Sequence, residues 1–342
     1  MTAITTSLLA GALSLSLARK PALATDSEAH EDERPITIGV IGDMPYSAPQ
    51  VAAFQGFMNA MSSDPAFRLT VQLGDIKPGG TACADDYIKG IRDALNSYSG
   101  ALVYTPGDNE WTDCHHSPTE PRNPVERLGF LRAKFFFAPG MTLGVRPRRV
   151  LTQGRDAAFA AFVENQAWME EKTMFAVLNV PGSNNDLDPW RNGVGSAAEQ
   201  QQEFDTRLAA DLAWLDRVFA LAGENHAHAV VLGMQADMWD PAAGTAGLTG
   251  YGEIVKRLAS RALEFGRPVL LLEGDSHNFK VDDPLAPGDP AHGVTTPVPN
   301  LTRIVVEGGP DHFPLEYLRL TIDTRCPTAP FSWERIRPAV AP

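Results

Sequence analysis

The chain has 342 residues, 44% of them hydrophobic, and a formal net charge of −13 at pH 7. That length supports one large α/β domain or two smaller ones, and the ordinary apolar content excludes both a disordered chain and a multi-span membrane protein. The acidic balance argues against a broad nucleic-acid or anionic-membrane surface, but not against an anionic substrate, because a bound dication reverses the sign of a site locally.

Ile4 to Leu17 is apolar and Ser/Thr-rich, and Ala22-Leu23-Ala24 resembles an export cleavage site. Residues 1–24 are therefore read as a signal peptide, which places the protein in a secreted or periplasmic compartment. The stretch is short for a spanning helix, so no membrane span is expected after cleavage. Residues 25–34 are a charged, flexible lead-in, 35–325 a single domain, and 326–342 a C-terminal tail.

Ile36 to Ile41 is nearly all apolar, as expected of a strand covered on both faces, and it empties into Gly42-Asp43. Ala48 to Met61 has helical spacing. A strand at Arg68 to Leu73 ends in Gly74-Asp75, and a helix follows from about Asp85 to Tyr98. The strand at Ala101 to Thr105 then runs into Gly107-Asp108-Asn109-Glu110-Trp111-Thr112-Asp113-Cys114-His115. This alternation predicts parallel strands with right-handed crossovers, a class whose ligands bind beyond the carboxyl ends of the strands. Cys83 and Cys114 follow two successive strand-ends. If those strands are neighbours, a disulfide bridges their loops in an oxidising compartment and leaves Cys326 free.

The middle is less regular. Val125 to Phe137 reads as helix, Thr173 to Val180 as strand, and Pro181 to Gly195 as a long polar loop. A long helix from Ala197 to about Leu221 carries the stripe Leu208, Leu212, Leu215 and Phe219, which should pack on a sheet face. Ala229 to Leu232 is a strand leading to Gln235. A helix at Tyr251 to Phe265 precedes the strand Val269 to Leu272, which ends in Gly274-Asp275-Ser276-His277. Leu301 to Val306 and Tyr317 to Ile322 read as a closing antiparallel pair.

One Gly-Asp after a strand is usually a turn or a helix cap. Four of them at strand-ends, one carrying an imidazole, point to a shared site. The metal-ligand candidates are Asp43, Asp75, Asp108, Asn109, Gln235, Asp275 and His277. A single imidazole among so many oxygens favours Mn, Mg or Ca over Zn, with Fe admissible. Two ions bridged by Asp75 would activate water for in-line attack on phosphorus.

Gly42-Asp43, Gly74-Asp75, Gly107-Asp108-Asn109-Glu110 and Gly274-Asp275-Ser276-His277, in this order, resemble the motifs of the calcineurin-like metallophosphoesterase superfamily. The run from Gly107 to His115 is similar to a secreted bacterial branch. The resemblance implies a four-layer α/β/β/α sandwich with a dinuclear site, and a metal-dependent hydrolase acting on a small phosphorylated substrate. Asp43, Asp75 and His277 carry over directly. Pro45 stands where the family has a metal-binding His, with Tyr46 beside it. Asp108 stands in place of the metal-binding Asn and Asn109 in place of the catalytic His. Gln235 and Asp275 replace two further imidazoles. With Asn109 in the catalytic position, the leaving-group proton is assigned to His115, or to its neighbour His116. Lys77, Arg191 and Lys280 are candidates for contacting a substrate phosphate.

Two other readings compete. A phosphoesterase-like fold with a decayed metal site would serve as a binding protein. Ser276 and His292 would be the nucleophile and base of a Ser esterase.

Overall fold

The computed structural model describes residues 1, 34–309 and 313–340. Apart from Met1 and Arg34, the expected leader and lead-in lie outside the described residues. Among the described residues five strands form the first sheet: β1 (Ile36–Ile41), β2 (Phe67–Gln72), β3 (Leu102–Tyr104), β11 (Tyr317–Ile322) and β12 (Phe331–Ile336). They lie in the order β12-β11-β1-β2-β3. β1, β2 and β3 run parallel, as the crossovers through α1 (Ala48–Ser62) and α2 (Asp85–Asn96) require.

The strands of the second sheet are β4 (Leu151–Thr152), β5 (Gln166–Glu170), β6 (Thr173–Val177), β7 (Ala229–Gly233), β8 (Val269–Glu273), β9 (Lys280–Asp282) and β10 (Leu301–Val305). Among the described residues their order is β4-β5-β6-β7-β8-β10-β9. Here β6, β7, β8 and β10 are parallel.

Alternation along each strand divides the apolar residues between two faces. Ile38, Val40, Val71 and Val103 of the first sheet meet Phe175, Val231, Leu270 and Ile304 of the second. The opposite face of the first sheet is covered by α1, α2 and α3 (Pro124–Phe135), through Phe54, Phe57, Ile88 and Leu131. That of the second is covered by α4 (Ala197–Glu224) and α5 (Gly252–Phe265), through Leu215, Val218, Ile254 and Leu258. Each such side chain contributes about 1.5–3 kcal/mol of burial. The result is the expected four-layer α/β/β/α sandwich of two mixed sheets. No helix among the described residues is long and apolar enough to cross a membrane.

Two expectations are corrected. β10 and β11 do not pair: β10 lies parallel to β8 in the second sheet, and β11 antiparallel to β1 in the first. The connection between them passes from one sheet to the other, so its glycines reach both sets of loops. Gly309 N–H donates to Asp43 O at 2.8 Å, and Gly308 N–H to His277 O at 3.3 Å. Residues 326–342 are not simply a tail, because β12 forms the edge of the first sheet against β11. Phe331 and Trp333 of β12 are partly buried against the inter-sheet core.

Candidate metal centre

The strand-ends deliver their carboxylates through a backbone that few residues adopt. Asp43, Asp75, Asp275 and His277 have φ of 53°, 57°, 69° and 63°. Left-handed non-glycine residues are uncommon, and a cluster of them persists only where the surroundings fix it. Close approach explains one of the glycines. A Cβ on Gly107 would lie 2.2 Å from Asp75 Oδ1.

Asp43, Asp75 and His277 bring one donor atom each to within 4.8 Å of the others, and so do Asp75, Asp108 and Asp275. Asp75 belongs to both sets. Asp43 accepts the Asp275 N–H at 2.8 Å through Oδ1, while its buried Oδ2 has no hydrogen-bond partner among the described residues. Burial, first, and the neighbouring carboxylates, second, raise Asp75 well above the usual carboxylate range. Asp43 and Asp275 rise too, again chiefly through burial. Asp108 is pushed up to about 7, with Asp113 the largest electrostatic contributor after burial. Burying so many acids costs several kcal/mol per uncompensated charge. The orphaned Asp43 oxygen and the all-oxygen donor set around one imidazole fit a hard divalent cation.

Tyr46 sits where the two triads meet. Its hydroxyl donates to Asp75 Oδ2 at 2.6 Å and accepts from Asn109 Nδ2 at 2.7 Å. It also lies 3.3 Å from His277 Nε2. Asn109 turns its amide nitrogen to the cluster, donating to Asp75 Oδ2 at 2.7 Å, so it acts as a donor rather than a ligand. Gln235 is likewise displaced from the ligand set. Its Oε1 accepts the Gly182 N–H, and its Nε2 donates to Asp108 Oδ1 at 2.9 Å.

Four candidates are placed elsewhere. Lys77 is 1% exposed and spends its ammonium on the carbonyls of Pro78 and Asn109, at 2.7 and 2.8 Å. Lys280 lies on the edge strand β9 in an ion pair with Asp282. Arg191 has an exposed side chain and gives its backbone N–H to His115 Nδ1 at 3.0 Å. His115 is thereby a buried acceptor. Burial, then the neighbouring His116, holds its pKa down to about 4, so near neutral pH it carries no surplus proton to give a leaving group. His116 behaves oppositely: its hydrogen bond to Asp113 raises its pKa.

Several positioning residues escape a reading of the sequence. Glu110 is fully buried, where it accepts from the N–H groups of Asp75, Ile76 and Gly107 and from the Tyr104 hydroxyl. This ties the β2 and β3 strand-ends together. Within the polar loop, Ser183, Asn184, Asn185 and Asp186 form a left-handed turn with φ between 50° and 65°. Buried Arg207 clasps it through the Asn185 carbonyl at 2.9 Å, and Tyr251 takes the Asn185 N–H at 3.1 Å. The turn points Ser183 Oγ at Asp108 Oδ2 (2.9 Å) and Asp113 Oδ1 (2.6 Å). The Asn-Asn-Asp run was the available signal, because these side chains tolerate left-handed backbone best.

β2 and β3 are neighbours, and Cys83 and Cys114 are joined with their Cα atoms 5.5 Å apart; Cys326 is free and exposed. Ser276 donates its hydroxyl to Asp237 at 2.8 Å, while His292 is held by Asp289 at 2.5 Å. Each half of the alternative Ser–His pair is therefore committed to another partner.

No protein-family model matches the chain, and no curated protein matches it in sequence. Solved structures resemble it distantly. GAP50, the anchor in the inner membrane complex of Plasmodium, is 8% identical with a TM-score of 0.41, over 89% of both chains. A phosphatase from Mycoplasma pneumoniae is 10% identical with a TM-score of 0.40, over 90% of this chain and 95% of that one. A 5'-nucleotidase precursor from Thermus thermophilus is 11% identical with a TM-score of 0.39, over 89% of this chain and 54% of that one. Likenesses this distant leave the function to the chain's own geometry.

Proposed function

We propose that this protein is a secreted, metal-dependent hydrolase of phosphate esters. The observation that carries the reading is Asp75, one carboxylate shared by two donor triads. Asp43, Asp75 and His277 would hold one ion, with the Tyr46 hydroxyl beside it, and Asp75, Asp108 and Asp275 a second. The donor chemistry favours Mn, Mg or Ca, with Fe admissible. Bound dications supply charge neutralisation and Lewis-acid activation of water and phosphoryl oxygen.

The chain's own groups do the positioning. Asn109 Nδ2 donates to Asp75 Oδ2 and to the Tyr46 hydroxyl, and so fixes the shared carboxylate and the tyrosine relative to each other. Glu110 and the Cys83–Cys114 bridge keep the Asn109 loop in register with Asp75. The bridge also supports an oxidising compartment.

The test is metal analysis and Mn titration of the full chain, with turnover of a panel of phosphate mono- and diesters, against Asp75→Asn. Metal-dependent turnover lost in the variant supports the reading. Equal turnover in the variant ends it. Metal binding without turnover of any ester supports a binding protein instead.

A further inference from the structure

A cavity of about 570 Å³ adjoins the carboxylate cluster, and Tyr46 is common to both. The hydroxyl of Tyr46 lies among the carboxylates, 2.6 Å from Asp75, while the residue forms part of the cavity wall. One side of the cavity is α1, through Ala48, Val51 and Ala52; the other is the loop after β2, through Pro78 and Thr81, with Tyr87 of α2. Among the described residues no charged side chain lines it, in a chain whose net charge is −13.

Both walls are tied down. The Tyr87 hydroxyl donates to the Pro45 carbonyl at 3.1 Å, which joins α2 to the β1–α1 turn. The Cys83–Cys114 bridge fastens the loop after β2 to the loop carrying Asn109. A preformed pocket of a few hundred Å³, mostly apolar with aromatic lining, suits a rigid uncharged group. Charged or heavily hydroxylated groups would lose water there without compensation.

We propose that this cavity receives the leaving group of the substrate, and that the preferred esters are those of uncharged aromatic alcohols. The inference deepens the phosphoesterase reading and rests on it for the reaction. In that reaction the bond from phosphorus to the phenolic oxygen breaks and the oxygen of water joins phosphorus. One proton of the water passes to the phenol, and the other stays on the phosphate.

The experiment compares 1-naphthyl phosphate with glycerol phosphate on the Mn-supplied full chain, and separately titrates 1-naphthol by fluorescence. Ala52→Trp and Thr81→Trp fill the cavity from opposite walls, both at exposed positions where a larger residue leaves the core intact. The expected result is a preference for the naphthyl ester in kcat/KM that falls at least tenfold in both variants, with 1-naphthol binding lost. A preference unmoved by either variant overturns the proposal. So does 1-naphthol binding that is absent from the parent protein or survives both substitutions. If neither ester is hydrolysed but 1-naphthol binds and both variants lose it, the cavity's preference stands and the hydrolase reading falls.

Discussion

The backbone N–H of Gly182 donates to the side-chain oxygen of Gln235 at 2.5 Å. That bond turns the Gln235 amide nitrogen towards Asp108 and takes its oxygen out of the ligand set. It also sets Gly182 against the second triad. A Cβ there would lie 2.7 Å from both Asp108 Oδ2 and Asp275 Oδ1, two of the oxygens proposed to hold an ion. Gly182→Ala is therefore expected to weaken Mn binding at least tenfold at one of two sites. Calorimetric titration checks this, with an unfolding transition close to that of the parent protein.

Removing the shared carboxylate should do more than removing an unshared one. Asp75→Asn is expected to lose both ions and Asp43→Asn one, with Asp108 and Asp275 still able to hold the other. Metal content after dialysis against trace Mn distinguishes the two. One ion retained by Asp75→Asn would show that the triads are independent.

His115 is held neutral in the fold, at about 4 against an ordinary value of 6.5. Between those values the unfolded chain binds the extra proton, so stability is full above pH 6.5 and falls as the pH drops towards 4. His115→Asn keeps an acceptor for the Arg191 N–H and removes the titration. Chemical denaturation should show a smaller loss of stability from pH 6.5 to 4.5. Activity between pH 6 and 8 should keep its profile, because His115 does not titrate there.

Asp211 acts in the opposite direction. Burial, only partly offset by Arg207 and by a 2.8 Å hydrogen bond from Asn165, raises it to about 8. From pH 4 to 8 the folded state holds the proton and the unfolded state does not, so this residue makes stability decline as the pH rises. Asp211→Asn should abolish that part of the decline and raise stability at pH 8 relative to pH 5. An unchanged slope in denaturant titrations would refute the assignment.

The Cys83–Cys114 bridge closes a loop of sequence separation 31, for which chain entropy predicts about 2–4 kcal/mol of stabilisation. The double Cys→Ser variant should lose stability of that order. It should also weaken Mn binding at one of two sites along with kcat, because the loosened loop carries Asp108 of the second triad as well as Asn109, whereas Asp43 and His277 sit on other strand-ends.

Much of the frame was legible because strand composition and strand-ends are local signals. Covered parallel strands are apolar throughout, and Gly-Asp at each end marks where they stop, so the sequence alone singles out Asp43, Asp75, Asp108, Asp275 and His277, whose donor atoms the fold brings close together. The neighbouring cysteine loops followed from the strand order. What local signals do not carry is orientation. Nothing in the sequence tells that the oxygen of Gln235 faces Gly182, or that the ammonium of Lys77 is spent on carbonyls. His115 is chosen as proton donor by its proximity in sequence, which says nothing of the burial that holds its pKa down to about 4. β10 and β11 were paired because adjacent strands usually pair, whereas here the connection changes sheets. β12 went unread because none of its residues is fully buried: Phe331 and Trp333 pack on the inter-sheet core and Ile336 on the helix-covered side of the sheet, while the residues between them are exposed.

β1 lies between β2, its near neighbour in sequence, and β11, which is remote from it in sequence: Ile36 is paired with Ile322. One edge of β1 is therefore satisfied by a nearby segment and the other only by a distant one. Asp43 hangs from its end and is also held by Asp275 and Gly309. The Asp43 carboxylate of the first triad thus owes its placement to Asp275, a partner 232 residues further along the chain, so this half of the site exists only once distant segments have docked.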